Sequence, residues 1–251
     1  MLTPERHQLI LALLKEKEVV TVHELVNTTN ASESTIRRDL SELEEKRYLK
    51  RVHGGASILH RKLEEPTVLE KVKKSEQEKV AIAAYAASLI KDKDSIYLDA
   101  GTTTEQMIHH ITAKQIVIVT NGLNIALTAR QYDCKVILIG GELKAGTMAV
   151  IGRGAATGMG QYRFDKCFLG MNAFDLTHGF TTPDPEEAYI KQLALSYSDE
   201  KYVLCDSQKY GEVTFAKVAD ISEAMIITDD RINPTEAEKV RKLTRCKVVK
   251  L

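Results

Sequence analysis

Polar residues that can bind an anion follow short apolar runs in the second half of the chain. Asp99-Ala-Gly-Thr-Thr-Thr104 follows one such run. Where a loop of this kind leads into a helix, its backbone N–H groups and hydroxyls can hold a phosphate. The loop lacks the lysine of a P-loop and the third glycine of a dinucleotide-binding motif, which disfavours nucleotides. Four further polar or glycine-containing segments also follow apolar runs: Thr120-Asn-Gly122, Gly140-Gly141, Gly170-Met-Asn172 and Asp206-Ser-Gln-Lys209.

These motifs come together only if the apolar runs form a parallel sheet. From Ser75 onwards, strand-length runs mostly alternate with helical patterns, which predicts a mainly parallel, three-layer α/β/α domain. Ser75 to Glu78 fits a capping box at the start of the first helix. Because the carboxyl ends of parallel strands lie at one edge, the motifs should converge where open α/β sheets bind ligands. The predicted strands are residues 95–98, 116–119, 135–139, 167–169, 201–204, 224–227 and 247–249.

The predicted effector-binding residues are the polar or glycine positions of these strand ends, together with Glu187 from the stretch 180–188. Two other interpretations remain open. The threonines after Gly101 also fit a simple helix cap, and Asp184 and Glu187 fit a capping box with Pro185 at the first helical position. The predicted set is Asp99, Gly101, Thr102, Thr103, Thr104, Asn121, Gly141, Glu187, Asp206 and Lys209.

A second group of residues fits contacts with DNA. Ser32 can cap a helix in which Ile36, Leu40 and Leu43 form the apolar face, while hydroxyls and two arginines occupy the other face. In isolation, this pattern also fits an amphipathic helix of any small helical domain. Two helices precede it, and residues 48–59 read as a hairpin around Gly54-Gly55, so the whole predicts a winged helix-turn-helix. The predicted DNA contacts are Ser32, Ser34, Thr35, Arg37, Arg38, Ser41, Lys50, Arg51 and His53. Asp39 is expected to orient arginines or to cap locally, because phosphates would repel it.

Composition sets limits on these interpretations. The formal net charge is zero, so DNA binding must depend on local basic clusters. No apolar run approaches the length of a membrane span and no signal peptide is evident, so a cytoplasmic protein is expected. The four cysteines are far apart and are expected to be free thiols, and neither they nor His109-His110 predict a metal site. The expected organisation is a DNA-binding domain over 1–57, a linker over 58–74 and an effector domain over 75–251. The pattern of the linker does not decide whether residues 68–74 form a helix.

The N-terminal residues resemble the signature of the DeoR family of bacterial sugar-operon repressors. The resemblance covers Arg6, Ile10, Leu14, Ser32, Thr35-Ile-Arg-Arg-Asp-Leu40 and Arg51-Val-His-Gly-Gly-Ala56. In the second half, the elements at Asp99, Thr120, Gly140, Phe168 and Asp206 are similar to those of the family's effector domains. Those domains are similar in fold to ribose-5-phosphate isomerase and glucosamine-phosphate deaminase. The resemblance therefore implies the sensing of a phosphorylated sugar.

Two stretches narrow the choice of sugar. Residues 180–188 resemble fructose-operon repressors, whereas residues 191–196 resemble lactose-phosphotransferase repressors. The leading expectation is a repressor of a fructose operon that fructose 1-phosphate releases from double-stranded operator DNA. Tagatose 6-phosphate is the alternative effector. No cofactor is expected, and reading paired half-sites predicts a homodimer or homotetramer. The alternative class is a sugar-phosphate isomerase or deaminase, with Glu187 or Asp206 as the base and Lys209 as an electrostatic partner.

Overall fold

The chain divides into two units, Met1–Arg61 and Lys62–Leu251. The computed structural model describes residues 1–17, 19–46, 48–52, 54–58, 62–63, 65–132 and 134–251. The boundary falls within the expected linker, and the later part of that linker includes a helix, Val68–Lys73, that belongs to the second unit. No helix of the described residues is both long and apolar enough to cross a membrane.

The first unit is a winged helix-turn-helix. Its core is formed by buried side chains that include Ile10, Leu25, Ile36 and Leu40. The strands form an antiparallel sheet in the order β1-β3-β2, and Gly54, at a φ of 76°, provides the left-handed residue of the tight turn between β2 and β3. Its elements are α1 (Thr3–Lys17), β1 (Val19–Thr21), α2 (Val22–Thr29), α3 (Glu33–Glu45), β2 (Leu49–Val52) and β3 (Gly55–Ile58).

The second unit contains a parallel sheet between two helical layers. Its first elements are α4 (Val68–Lys73), α5 (Glu76–Ala87), β4 (Ser95–Leu98), α6 (Thr102–Ile108), β5 (Val117–Thr120), α7 (Leu123–Ala129), β6 (Lys135–Leu138), β7 (Glu142–Lys144), β8 (Ala149–Ile151) and α8 (Gly152–Met159). They are followed by β9 (Phe164–Gly170), β10 (Ala173–Asp175), β11 (Gly179–Thr182), α9 (Pro185–Ser196), β12 (Ser198–Leu204), β13 (Ala216–Ala219), β14 (Met225–Asp229), α10 (Pro234–Arg241) and β15 (Cys246–Val249).

The main sheet has seven strands in the order β15-β14-β12-β9-β4-β5-β6, and every neighbouring pair is parallel. Side chains alternate between its two faces, as a strand requires. Ile96 packs in the cluster that contains Ile82 of α5, whereas Tyr97 packs in the cluster that contains Ile190 of α9. Both faces are therefore covered, which confirms the three-layer α/β/α prediction.

Two details of the second unit differ from the sequence analysis. The capping box at Ser75 is wrong: Ser75 has a φ of 50° and makes no side-chain cap hydrogen bond, and Glu78 instead pairs with Arg231. The small antiparallel sheet β10-β11-β13 and the hairpin β7-β8 were not predicted, because their strands are only three or four residues long. The prediction of free thiols is confirmed, and burial raises the pKa of Cys167 to about 11.

A buried ion pair joins two helices of the first unit. Arg6 of α1 donates to both carboxylate oxygens of Asp39 on α3, and the bond from its Nη2 is 3.0 Å long. His7 Nε2 lies 3.2 Å from Asp39 Oδ1. Burial raises the pKa of Asp39, but the hydrogen bonds and charges of Arg6 and His7 outweigh burial and hold it below its ordinary value. Asp39 therefore orients an arginine inside the unit, which is one of the two roles expected for it from the sequence.

Replacement of Asp39 by Asn should destabilise the first unit by about 1–3 kcal/mol, because the buried guanidinium of Arg6 loses its charged partner. The depressed pKa adds a pH dependence: the stabilisation is present above the ordinary carboxyl pKa and is lost as the pH falls through the folded-state value. Denaturant unfolding followed by circular dichroism measures both effects. The control is Glu45→Gln, an exposed position of the same helix. Equal stability of Asp39→Asn and the control would contradict the role of the pair.

Candidate functional site

The polar face of α3 lies outside the core of the first unit. Ser34, Arg37 and Arg38 are exposed, whereas Ile36 and Leu40 on the opposite face are buried. The helix begins at the predicted cap, where the Oγ atom of Ser32 accepts a hydrogen bond of 3.2 Å from the N–H of Thr35. Side chains near the N-terminus of such a helix are the ones that reach DNA bases in helix-turn-helix proteins.

The wing strand is tied to this helix. Arg51 of β2 donates from Nη1 to the Oγ atom of Ser41 at 2.8 Å, and its backbone N–H donates to Glu44 at 2.8 Å. Arg37 pairs with Glu33 of the preceding turn at 2.6 Å. In the described part of the chain, the side chain of Arg38 has neither an ion pair nor a hydrogen bond. Its guanidinium is therefore available to an external anion without breaking an internal contact.

Two of the remaining predicted DNA contacts are less exposed. Thr35, at the start of α3, and Lys50, on β2, are both half-buried. His53 lies outside the described residues. The structure therefore brings Ser34, Arg37 and Arg38 onto one exposed surface.

The polar strand ends of the second unit meet at one edge of the sheet. Leu98 of β4 is paired with Phe168 of β9, and Gly170 of β9 is paired with Leu204 of β12. The strands are parallel, so Asp99 and Asp206 follow strands that are separated only by β9. The predicted convergence of these motifs follows directly from the observed strand order.

Lys191 of α9 is the cation at the centre of this edge, although the sequence analysis did not select it. Its Nζ atom pairs with Asp99 Oδ2 and donates to the carbonyl of Gly170 at 3.0 Å. The N–H of Gly170 donates to the same carboxylate at 3.2 Å. Burial lowers the pKa of Lys191, but the charges of Asp99 and Glu187 outweigh burial and raise it above its ordinary value. The ammonium is therefore charged in the interior.

A second cluster lies one helical turn earlier on α9. Glu187 accepts hydrogen bonds from Thr147 Oγ1 at 2.7 Å and from Lys144 Nζ at 3.1 Å. The same ammonium donates to Asp184 and to Glu65, each at 2.6 Å. These three carboxylates lie close enough to share a metal ion, but Lys144 already places a positive charge among them. Its hydrogen bonds to Asp184 and Glu65 overcome the effect of burial and raise the pKa of Lys144.

The structure shows only half of the predicted capping box at the start of α9. Asp184 is the helix cap, since its side chain accepts from the N–H of Glu186 at 2.8 Å and Pro185 follows it. Glu187 does not close a capping box, because its carboxylate turns inward to Thr147 and Lys144. Helical spacing alone does not distinguish these two orientations.

The loop after β4 contains both half-buried and internal polar groups. Thr102 is half-buried and lines a cleft together with Gly101, Gly122 and Val68 of α4. Thr104 is internal, because its hydroxyl lies 2.6 Å from the carbonyl of Asp99. The free space in the cleft is only ≈10 Å³, at the lower limit for holding one water molecule. In this closed form the cleft is too small for a sugar phosphate.

Other predicted residues have supporting positions. Asn121 is buried and accepts hydrogen bonds from the Tyr97 hydroxyl at 2.8 Å and from the N–H of Ala100 at 3.1 Å, while its amide donates to the carbonyl of Val150 at 3.2 Å. A side chain at Gly141 would meet the carbonyl oxygen of Ile151 at 2.6 Å. These contacts hold the loops at the sheet edge, and the assignment of Asn121 and Gly141 as ligand contacts stays a prediction. Thr103 is buried.

Asp206 and Lys209 lie together after β12. Lys209 Nζ is 3.6 Å from Asp206 Oδ2, and the other carboxylate oxygen of Asp206 accepts from the N–H of Gln208 at 3.2 Å. Two lysines that complete the edge, Lys144 and Lys191, were not predicted from the sequence. Glu187 and Lys191 are four residues apart, so the charged pair on a buried helix face was a usable signal for Lys191. Nothing in the local sequence singled out Lys144 or Glu65.

Models of two protein domains match this chain. The DeoR-like helix-turn-helix domain matches residues 6–62, and the DeoR C terminal sensor domain matches residues 74–230. The uncharacterized HTH-type transcriptional regulator FruR of Bacillus subtilis (strain 168) is 49% identical over 251 residues, which is 100% of both chains. A lactose phosphotransferase system repressor of Staphylococcus epidermidis is 36% identical over 236 residues, covering 92% of this chain and 93% of the relative.

Solved structures give more distant similarities. Ribose 5-phosphate isomerase A from Methanocaldococcus jannaschii aligns with a TM-score of 0.40 and 18% identity, covering 55% of each chain. A probable sor operon regulator from Shigella flexneri aligns with a TM-score of 0.42 and 11% identity, covering 84% of this chain and 94% of the other.

Replacement of Lys191 by Met should destabilise the second unit by about 3–5 kcal/mol, because the carboxylate of Asp99 would remain buried without a cation. Adding Asp99→Asn to this variant should restore part of the loss, since the unpaired charge is then removed. Urea unfolding of the single and double variants measures both effects. Lys217→Met is the control, because Lys217 and Asp220 form an exposed pair that contributes about 0–1 kcal/mol. If Lys191→Met cost no more than the control, the central role of the pair would be wrong.

Proposed function

Because this chain belongs to the DeoR family of transcriptional regulators, we propose that it represses a sugar-utilisation operon and that a phosphorylated sugar releases it from operator DNA. Fructose 1-phosphate is the proposed effector, with tagatose 6-phosphate as the second candidate. The observation that carries the proposal is the presence of two unlike surfaces in one chain. One is an exposed basic helix face, and the other is a charged ligand edge on a parallel sheet.

The first unit supports the DNA-binding half of this proposal. Arg37 and Arg38 project from α3 on the side away from the core, where they can contact phosphates and base edges of the major groove. Since the whole chain has no net charge, this local surface must provide the attraction. We propose that two copies act together as a homodimer or a homotetramer, because one module reads only a short site.

The second unit supports a sensing role for its sheet edge. The carboxylates considered as catalytic bases are already engaged: Glu187 accepts from Thr147 and Lys144, and Asp206 lies beside Lys209. A ligand that binds without reacting needs only to replace these internal contacts of the carboxylates with contacts of its own. We propose that Asp99, Lys191 and Glu187 face the sugar hydroxyls when the site opens, and that Thr102 faces the phosphate end.

The effector must move a segment that covers this edge. We call residues 65–73 the strap. Glu65 is bound to Lys144 at 2.6 Å and to Lys71 at 2.9 Å, and the N–H of Val68 donates to the carbonyl of Gly146 at 3.0 Å. Val68 also lines the closed cleft. Because the strap follows the first unit directly in the chain, we propose that its displacement changes operator affinity.

An effector can act in this way only if its affinity differs between the two states of the strap. The carboxylate of Glu65 pairs with the ammonium of Lys144. It therefore takes a position that a ligand oxygen could otherwise occupy. Glu65 therefore serves as an internal competitor of the effector. The resemblance of residues 180–188 to fructose-operon repressors supports fructose 1-phosphate, whereas that of residues 191–196 to lactose-phosphotransferase repressors supports tagatose 6-phosphate.

Replacement of Arg38 by Ala should weaken operator binding at least tenfold without lowering the melting temperature, since Arg38 contributes nothing to the core. Fluorescence anisotropy with labelled operator at two salt concentrations measures the loss and the change in salt dependence. The control is Arg241→Ala, an exposed arginine of α10 in the second unit. Wild-type operator affinity in Arg38→Ala would exclude this helix face from recognition.

Fructose 1-phosphate should bind the wild-type protein, whereas fructose should not. In Glu65→Gln the affinity should rise by about tenfold, which corresponds to ~1.4 kcal/mol, because the internal competitor loses its charge. Isothermal titration calorimetry with fructose 1-phosphate, tagatose 6-phosphate and fructose gives the affinities. Glu238→Gln is the control, since Glu238 forms an exposed pair with Arg241.

The two parts of the proposal fail separately in this experiment. If neither sugar phosphate binds the wild-type protein, the proposed effector class is wrong. If a sugar phosphate binds and Glu65→Gln shows no gain, the strap does not compete with it. Chromatography of the titrated mixtures also detects turnover, and formation of an isomerised or deaminated product would replace the regulatory proposal with an enzymatic one.

A further inference from the structure

We propose that Glu33 and Arg37 of α3 together recognise one G·C base pair of the operator, with the carboxylate of Glu33 accepting a hydrogen bond from the amino group of cytosine. The inference rests on the proposed function and deepens it by naming a residue that determines the operator sequence. Glu33 is not among the DNA contacts predicted from the sequence. It lies in the first turn of α3, and side chains near the start of such a helix reach base edges in helix-turn-helix proteins.

The carboxylate of Glu33 is unfavourable for general attraction to DNA. Glu33 is exposed, as are Ser34 and Arg38 beside it. Proteins attract DNA mainly through its phosphates, which repel a carboxylate on the same surface. The helix dipole favours an acidic residue in the first turn, but it requires no particular orientation of the carboxylate oxygens. The contacts of those oxygens indicate a further role.

Arg37 binds only one of the two carboxylate oxygens of Glu33. Its Nε and Nη2 atoms donate to Glu33 Oε1 at 2.9 and 2.6 Å. Within the described residues, Glu33 Oε2 accepts no hydrogen bond and Arg37 Nη1 donates none. The Nη2 atom also keeps its second hydrogen for another acceptor. The two side chains therefore present an unused acceptor beside the Nη1–Nη2 edge of a guanidinium.

These groups match the major-groove edge of a G·C pair. Guanine presents the acceptors N7 and O6, and the N4 amino group of the paired cytosine is the adjacent donor. The Nη1–Nη2 edge of a guanidinium can bind N7 and O6 together, while a carboxylate accepts from N4. An A·T pair presents an acceptor, a donor and an acceptor in that order, so it leaves one of these three contacts unmade. The pair of side chains should therefore prefer G·C.

Arg37 is positioned before DNA binds. It lines a cleft between α3 and the hairpin, together with Arg51 and Gly54. Arg51 in turn donates to Ser41, which lies one turn after Arg37 on the helix. A guanidinium that is already oriented loses less conformational entropy when it contacts a base. The side chain of Arg38 has no partner among the described residues, so it is better suited to a phosphate contact.

Replacement of Glu33 by Ala should relax the sequence preference at one base pair of each half-site. The wild-type protein first selects its sites from a pool of short duplexes with a randomised centre. Fluorescence anisotropy then measures affinities for one selected site and for its single base-pair substitutions. The wild type should discriminate against A·T at this pair by about 5- to 150-fold, the range for one good base contact, and Glu33→Ala should reduce this ratio at least about fivefold.

Glu42→Ala is the matched control for this variant. Glu42 also forms an exposed pair with a basic residue four positions later, Lys46. It lies about two and a half turns after Glu33 and therefore on the opposite side of α3. The control removes the same charge from the same helix, and it should leave every base preference unchanged. Both variants should melt at the wild-type temperature, because exposed ion pairs contribute little to stability.

Two arginine variants distinguish a base contact from a phosphate contact. Arg37→Ala should relax the same base pair as Glu33→Ala, and the double variant should relax it no further than the larger single effect, because the two side chains act together. Arg38→Ala should weaken binding to all duplexes by a similar factor and should lower the magnitude of the salt slope by about 1.

The outcomes separate the inference from the function on which it rests. Relaxation of the same G·C pair in Glu33→Ala and Arg37→Ala, but not in Glu42→Ala, would support joint recognition. An unchanged preference in Glu33→Ala, relaxation at a pair other than G·C, or relaxation of different pairs by the two variants would overturn it while leaving the regulatory function intact. If the wild type selected no duplex from the pool, the DNA-binding half of the proposed function would fail and the inference with it.

Discussion

The buried pair between Lys191 and Asp99 is the interaction on which the ligand edge depends. It joins α9 to the ends of β4 and β9, because the ammonium contacts the Asp99 carboxylate and the Gly170 carbonyl together. Both side chains are almost wholly buried, so neither charge can be removed alone without leaving the other unsatisfied. This constraint fixes the face of α9. Glu187, one turn earlier, then points towards Lys144 rather than towards solvent.

The same charges show how the proposed ligand site and the strap can be connected. Lys144 contacts Glu65 of the strap as well as Glu187 of α9, so the strap and the ligand edge share one cation. Under the proposed function, a ligand that competed for this cation would alter the balance between closed and open strap positions by its differential affinity. This coupling does not require a chain of rearranged contacts through the core of either unit. Coupling between the two sites requires only that the two strap positions differ in their effect on the DNA-binding unit.

Much of the fold could be predicted from the sequence, because local patterns determine it. The caps at Thr21 and Ser32, the apolar spacing of α3 and the alternation of apolar strands with helices each depend on nearby residues. The polar strand ends were predictable for the same reason, since a parallel sheet brings them to one edge. The partners within the site were not predictable. Lys191 and Asp99 are 92 positions apart, and Lys144 and Glu65 are 79 positions apart, so only the folded chain reveals these pairs. Asn121 shows a second limit of the sequence pattern. It is a polar residue at a strand end, but its side chain forms hydrogen bonds with groups inside the protein.

The most direct test of the regulatory account is a titration of the complex of wild-type protein and labelled operator with fructose 1-phosphate, followed by fluorescence anisotropy. The account predicts that saturating fructose 1-phosphate lowers operator affinity by about 5- to 150-fold, the usual range of coupling between two sites, whereas fructose has no effect. By reciprocity, operator DNA should lower the affinity for fructose 1-phosphate by the same factor. Unchanged operator affinity at a fructose 1-phosphate concentration shown by calorimetry to saturate the protein would contradict the account.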